Sequence, residues 1–132
     1  MAKSPELDEF NRLIKMIGDV TLSEIATGLG EKKWKLKNKN WTSAYIDSRW
    51  TTDGNTRIGK LRIVLEDGRI FARIRIPQQV AEWLDSIGEL KDKAFPKPWY
   101  GLKITFAPDG CCKLDFDHNP DCVVDPTFFN PD

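Results

Sequence analysis

Histidine is almost missing from this 132-residue chain, which has only His118, and cysteine is scarce, with three and no Cys-x-x-Cys pair. Each shortage removes a class of chemistry. A structural zinc site draws four His or Cys ligands at paired spacing, and the chain has no second pair. Any Cys–His or Ser–His nucleophile must run through His118, and no flanking pattern marks Cys111, Cys112 or Cys122 as that nucleophile. A phosphate loop is missing too, because Gly28-Leu29-Gly30 lacks a further glycine and a following Lys-Ser/Thr pair. The formal net charge of +0 argues against a dedicated nucleic-acid binder. No apolar run is long enough for a membrane helix. Glu6, Asp8 and Glu9 stand where a secretory leader would carry basic and then apolar residues. The expectation is a soluble, cytoplasmic domain with reduced thiols.

What is present suffices for a core. Hydrophobic residues make up 40% of the chain and five are tryptophans, so a single domain over residues 1–132 can fold without metal or disulfide. The zero net charge conceals a gradient. Residues 32–39 carry Lys32, Lys33, Lys35, Lys37 and Lys39 with no acid, whereas residues 109–132 carry six aspartates against Lys113. Solvated segments are the simpler reading of both, and a basic partner surface for the acidic end is the sharper reading of the second.

Periodicity divides the chain. Ser4 suits an N-cap with Pro5 at the first helical position, and Leu7, Phe10, Leu13, Ile14 and Ile17 form an apolar stripe. A helix is predicted over about 5–29, continuous or broken near Thr21. Strands are predicted over about 41–76: one with Ala44, Ile46 and Trp50 on one face, one with Leu61, Ile63 and Leu65, and a third with Ile70, Ala72, Ile74 and Ile76 inward. Asp67-Gly68 is the pair that a two-residue type I′ hairpin demands. Pro77 opens a second helix to about residue 90, with Val80, Trp83, Leu84 and Ile87 on one side. A C-terminal hairpin over about 99–117 turns at Pro108-Asp109-Gly110. The proline-bearing tail at 119–132 is expected to be extended and partly packed. The fold class is α+β, two-layered, with an antiparallel sheet of about five strands and helices packed on one face.

Candidate sites follow from this layout. Asp115, Asp117, His118, Asp121 and Cys122 crowd together, yet a calcium loop begun at Asp115 would place Pro120 at the obligatory glycine and Pro126 at the closing glutamate. No metal, no cofactor and no catalytic residues are expected, and the chain does not read as an enzyme. Residues 20–29 resemble the start of a helix-turn-helix, but no recognition helix follows. Two binding surfaces remain. One is acidic: Asp115, Asp117, His118, Asp121 and Asp125. The other places Arg62, Phe71, Arg73 and Arg75 on one sheet face beside Lys60, a pattern suited to single-stranded nucleic acid.

The C-terminal hairpin also carries a family likeness. Residues Trp99-Tyr100-Gly101-Leu102-Lys103-Ile104-Thr105-Phe106, the Asp109-Gly110 turn and Lys113-Leu114-Asp115-Phe116-Asp117 resemble the end of YezG-like immunity proteins. The likeness spans about residues 60–120; the Cys111-Cys112 pair and the proline-bearing tail depart from it. It implies a small cytosolic bacterial protein that neutralises a secreted toxin, often a nuclease, through direct contact. The inhibitory surface of that family has no fixed motif, so no residue role carries over. The resulting expectation is an antitoxin whose acidic end meets a basic toxin domain. The alternative is a nucleic-acid-binding or regulatory module using the arginine face.

Overall fold

A computed structural model describes residues 5–30, 41–52, 56–71, 74–125 and 128. Ser4, the lysine-rich segment, the turn at 53–55, Ala72, Arg73 and the tail at 126–127 and 129–132 lie outside the described residues. The elements run α1 (Pro5–Gly30), β1 (Trp41–Trp50), β2 (Arg57–Leu65), β3 (Ile70–Phe71), α2 (Gln78–Ala94), β4 (Gly101–Phe106), β5 (Cys112–Asp117) and a 3₁₀ turn at Cys122–Val124. The strands form one antiparallel sheet in the order β3-β2-β1-β4-β5. Both helices pack on one face of it, so the fold is the expected two-layer α+β arrangement.

The helix stripe is continuous through Thr21, so α1 is a single helix of 26 residues. Phe10, Leu13, Ile14, Ile17, Thr21 and Ile25 are its buried positions, spaced three and four apart. They meet Ala44, Ile46 and Trp50 of β1, Leu61 and Ile63 of β2, and Leu102, Ile104 and Phe106 of β4. α2 runs on to Ala94, beyond the expected end near residue 90. Its buried stripe is Val80, Leu84, Ile87 and Lys91. A lysine continues an apolar stripe when its methylene stem lies in the core and its head finds oxygen. Lys91 Nζ donates to the Trp99 carbonyl at 2.9 Å and lies 4.8 Å from the Tyr100 ring centroid. Beside it, Phe10, Phe95, Trp99 and Phe116 form a mostly edge-to-face cluster that closes the layer where α1, α2, β4 and β5 converge.

Two expectations fail at one turn. Gly68 N–H bonds to the Leu65 carbonyl and Leu65 N–H to the Arg69 carbonyl, so the loop has three residues, with Gly68 at φ 88. This is the turn-plus-bulge hairpin, not the two-residue type I′ form. The extra residue shifts the register by one, which moves each following side chain to the other face. Phe71 therefore pairs with Ile63 and packs on the core, while Ile70 pairs with Val64 on the open face. Phe71 does not share a face with Arg62. Among the described residues the third strand comprises Ile70–Phe71, and residues 74–77 run toward α2 outside any strand, so the expected strand does not reach Ile76.

The Ala107–Cys111 turn repeats the same bonds. Gly110 N–H reaches the Ala107 carbonyl, Ala107 N–H reaches the Cys111 carbonyl, and Gly110 has φ 94. In each turn the aspartate before the glycine accepts a backbone N–H two residues ahead: Arg69 onto Asp67 at 3.0 Å, and Cys111 onto Asp109 at 2.9 Å. The tail corrects a third expectation. It is not extended at Cys122–Val124, which form a 3₁₀ turn, and Cys122, Val123 and Phe128 are buried.

Candidate binding surface

The strand register writes out the open face of the sheet, the one away from the helices. Asp47 stands between Lys60 and Lys103, and Lys103 faces Asp115, giving one row of alternating charge across β2, β1, β4 and β5. On one side of it runs the row Ile58, Arg49, Gly101, Asp117, and on the other the row Arg62, Tyr45, Thr105, Lys113. These rows exist because β1 alternates Ala44, Ile46, Ser48 and Trp50 inward with Tyr45, Asp47 and Arg49 outward.

Arg49 organises one end of this face. Its Nε and Nη2 donate to the two carboxylate oxygens of Asp47 at 3.2 and 3.3 Å, and its Nη1 donates to the Cys122 carbonyl at 2.6 Å. The guanidinium lies 4.4 Å from the Phe128 ring centroid and 3.9 Å from Asp125. Burial opposes its charge, but the Asp47 carboxylate more than offsets this and raises the Arg49 pKa above its usual value. Lys60 donates to the Phe128 carbonyl at 3.1 Å, and burial together with Arg62 lowers its pKa. The tail is thus strapped over part of the sheet by two cations. Gly101 permits the approach, since a Cβ there would stand 2.9 Å from Asp117 Cβ and 3.3 Å from Cys122 Sγ.

Beyond the strap lies a shallow cleft of about 280 Å³ lined by Asp47, Arg49, Lys103, Asp115, Asp117 and His118. The structure brings Asp115, Asp117 and His118 together there. Asp115 is exposed, on the opposite side of β5 from Leu114 and Phe116, with Lys113 Nζ at 3.9 Å. Asp117 accepts the Asn119 N–H, and His118 Nδ1 hydrogen-bonds with the Pro98 carbonyl at 2.7 Å. Asp121 is exposed at the start of the 3₁₀ turn, and Asp125 lies by Arg49. The surface is therefore mixed in sign rather than uniformly acidic. Asp47, Arg49 and Lys103 belong to it and were not singled out from sequence; the alternation of β1 and β4 was the available signal, but only register assigns them to one cleft.

The arginine surface is rearranged. With Phe71 turned to the core and Arg73 outside the described residues, Arg62 and Arg75 meet instead across a groove of about 390 Å³ between β2 and residues 74–76. Arg57 and Lys60 also line it, and Arg57 is held by Asp85 at 2.7 Å. No acidic residue is among its described lining residues.

The thiols have a common chemical character. Partial desolvation raises the pKa of solvent-exposed Cys112; burial, aided by Asp117, raises that of Cys122; and the Asp109 carboxylate raises that of exposed Cys111. All three are held toward the protonated form, the reverse of what a thiolate nucleophile needs. Among the described residues, no three His, Cys, Asp or Glu side chains are grouped to hold a metal ion, and no helix is long and apolar enough to cross a membrane. No protein-family model matches this chain, and no curated protein is similar to it.

Proposed function

We propose that this chain is a protein-binding inhibitor of the immunity type, which engages a cognate bacterial toxin domain in the cytoplasm through the β4–β5 end of its open sheet face. One observation carries the reading: the cleft that gathers Asp47, Asp115, Asp117 and His118 beside Arg49 and Lys103, with Asp121 close in sequence. Carboxylates on a rigid strand complement a basic phosphate-binding surface, and the interspersed cations discriminate among partners by register of charge. A nuclease is the toxin class that such a surface suits. The hairpin resemblance points the same way.

The experiment is titration of the toxin domain encoded beside this chain's gene, using the wild type and a variant combining Asp115→Lys, Asp117→Lys and Asp121→Lys. Slower association and weaker neutralisation, with a deficit that changes with salt, are expected. Equal affinity at low and high ionic strength, with the variant folded by circular dichroism, defeats the reading.

The groove favours a second reading. Arg57, Lys60, Arg62 and Arg75 make it suitable for a polyanion such as single-stranded nucleic acid. Anisotropy of a labelled oligonucleotide tests this, with binding lost on Arg62→Ala plus Arg75→Ala and steeply weakened by salt.

A further inference from the structure

β5 is an edge strand, and among the described residues no strand pairs with its outer side. Ala107 N–H bonds to the Cys111 carbonyl, and Tyr100 N–H to the Asp117 carbonyl, so the odd positions of β5 direct their backbone groups toward β4. Alternation in an antiparallel ladder then leaves the N–H and C=O groups of Cys112, Leu114 and Phe116 pointing away from the sheet. The side chains on this edge are also incompletely covered. Leu114 and Phe116 face the helix layer yet are only partly buried, and Cys112 is exposed.

An open edge is a template for another strand. The sequence of β5 selects which one, because it is complementary to itself. Opposite residues of an antiparallel pair share a face, so two copies of β5 can join only in registers that set even positions against even positions. Centring on Lys113 faces Lys113 with its own copy and sets Cys112 against Leu114. Centring on Asp115 faces that carboxylate with its own copy, and centring on Phe116 faces Asp115 with Asp117. Centring on Leu114 alone opposes unlike charges throughout, Lys113 to Asp115 twice. On the helix side it sets Leu114 on Leu114 and Cys112 on Phe116, extending the apolar layer across the junction. Lys113 and Asp115 are well placed for this, with side chains 77% and 53% exposed on the open face.

We propose that β5 pairs antiparallel with β5 of a second copy of this chain about a two-fold axis at Leu114, joining two five-stranded sheets into one. Such an isologous contact is closed, since each edge is consumed by its partner. It leaves most of the open face of both copies accessible; it shares Asp115 with the proposed toxin-binding cleft, but it is tested with no toxin present, so the two readings fail separately.

Sedimentation of the full chain in reducing buffer, across a concentration series and with no toxin present, tests it. A monomer–dimer equilibrium is expected. Lys113→Asp and Asp115→Lys should each raise the dimer dissociation constant about tenfold, and the double swap should restore it. Register is read by cross-linking in a Cys111→Ser, Cys112→Ser background. Directly opposed residues of a bonded pair have Cα atoms about 5.5 Å apart, within disulfide range. Leu114→Cys should therefore form a covalent dimer on oxidation, and Asp115→Cys should not. A wild type that stays monomeric, a dimer indifferent to both charge variants, or preferred cross-linking through Asp115→Cys overturns the proposal. Lys113 is exposed, so its variant folds even where Leu114→Cys does not.

Discussion

The indole nitrogen of Trp50 occupies the space where a side chain on Gly88 would begin. Trp50 is the last residue of β1 and Gly88 lies in the middle of α2, so this contact sets how closely the helix lies on the sheet. Glycine in a helix interior costs about 1 kcal/mol relative to alanine, and the close approach explains why it is tolerated here.

Gly88→Ala is accordingly expected to destabilise the protein by about 1–3 kcal/mol, because overpacking outweighs the propensity gain. Trp50→Phe in the same chain removes the obstructing nitrogen and should recover part of the loss. A double-mutant cycle by urea denaturation measures it. A stabilised Gly88→Ala protein contradicts the packing described.

Arg49 is the strap that holds the tail. Replacing it with methionine keeps much of the stem but removes the donors to Asp47 and Cys122, at a cost of about 2–3 kcal/mol. Arg49→Lys should rescue little, since a single ammonium cannot reproduce the two-pronged bond to Asp47. Cys122, buried in the wild type, should then react with an aromatic disulfide reagent as fast as exposed Cys111. Unchanged Cys122 protection in Arg49→Met sinks this account.

The thiols supply a pH prediction. A thiol whose native pKa is raised contributes stability that is intact below its unfolded pKa and lost as pH rises through its native pKa. Cys122 should thus make the protein progressively less stable in alkali, and Cys122→Ala should flatten that limb of the pH profile. Alkylation by iodoacetamide should show no fast thiolate near neutral pH.

The two Asp-Gly turns have the opposite dependence. The Arg69 N–H holds the Asp67 pKa below its usual value, and the Cys111 N–H does the same for Asp109. Their contribution is present above the unfolded carboxylate pKa and disappears as pH falls through the lowered native values. Asp67→Asn plus Asp109→Asn, which keeps the side-chain acceptor, should reduce the acid sensitivity of unfolding. A pH profile identical to the wild type argues against both hydrogen bonds.

The periodic elements are legible in the residues themselves: the stripe from Phe10 to Ile25, the alternation through Ala44 to Trp50 and Leu61 to Leu65, and both turns at Asp-Gly. Each rests on chemistry local to a few residues, because burial of one face dictates period 3.6 or 2 and a positive φ dictates glycine. The face of Phe71 is not legible in this way. Asp67-Gly68 is compatible with a two-residue or a three-residue loop, and the choice between them is made by how the flanking strands bond.

Tertiary structure alone decided the rest. Lys91 reads as a solvent-facing charge until the Trp99 carbonyl arrives beside it. Asp47 and Asp115 are distant in sequence and share a cleft only because β4 inserts between β1 and β5. The tail reads as extended from its prolines, yet Arg49 and Lys60 draw its carbonyls down onto the sheet. Local sequence therefore determined which residues face inward along α1, β1, β2 and β4, but not along β3. Strand order, register and the docking of the tail, which depend on long-range pairing, decided which outward residues stand together.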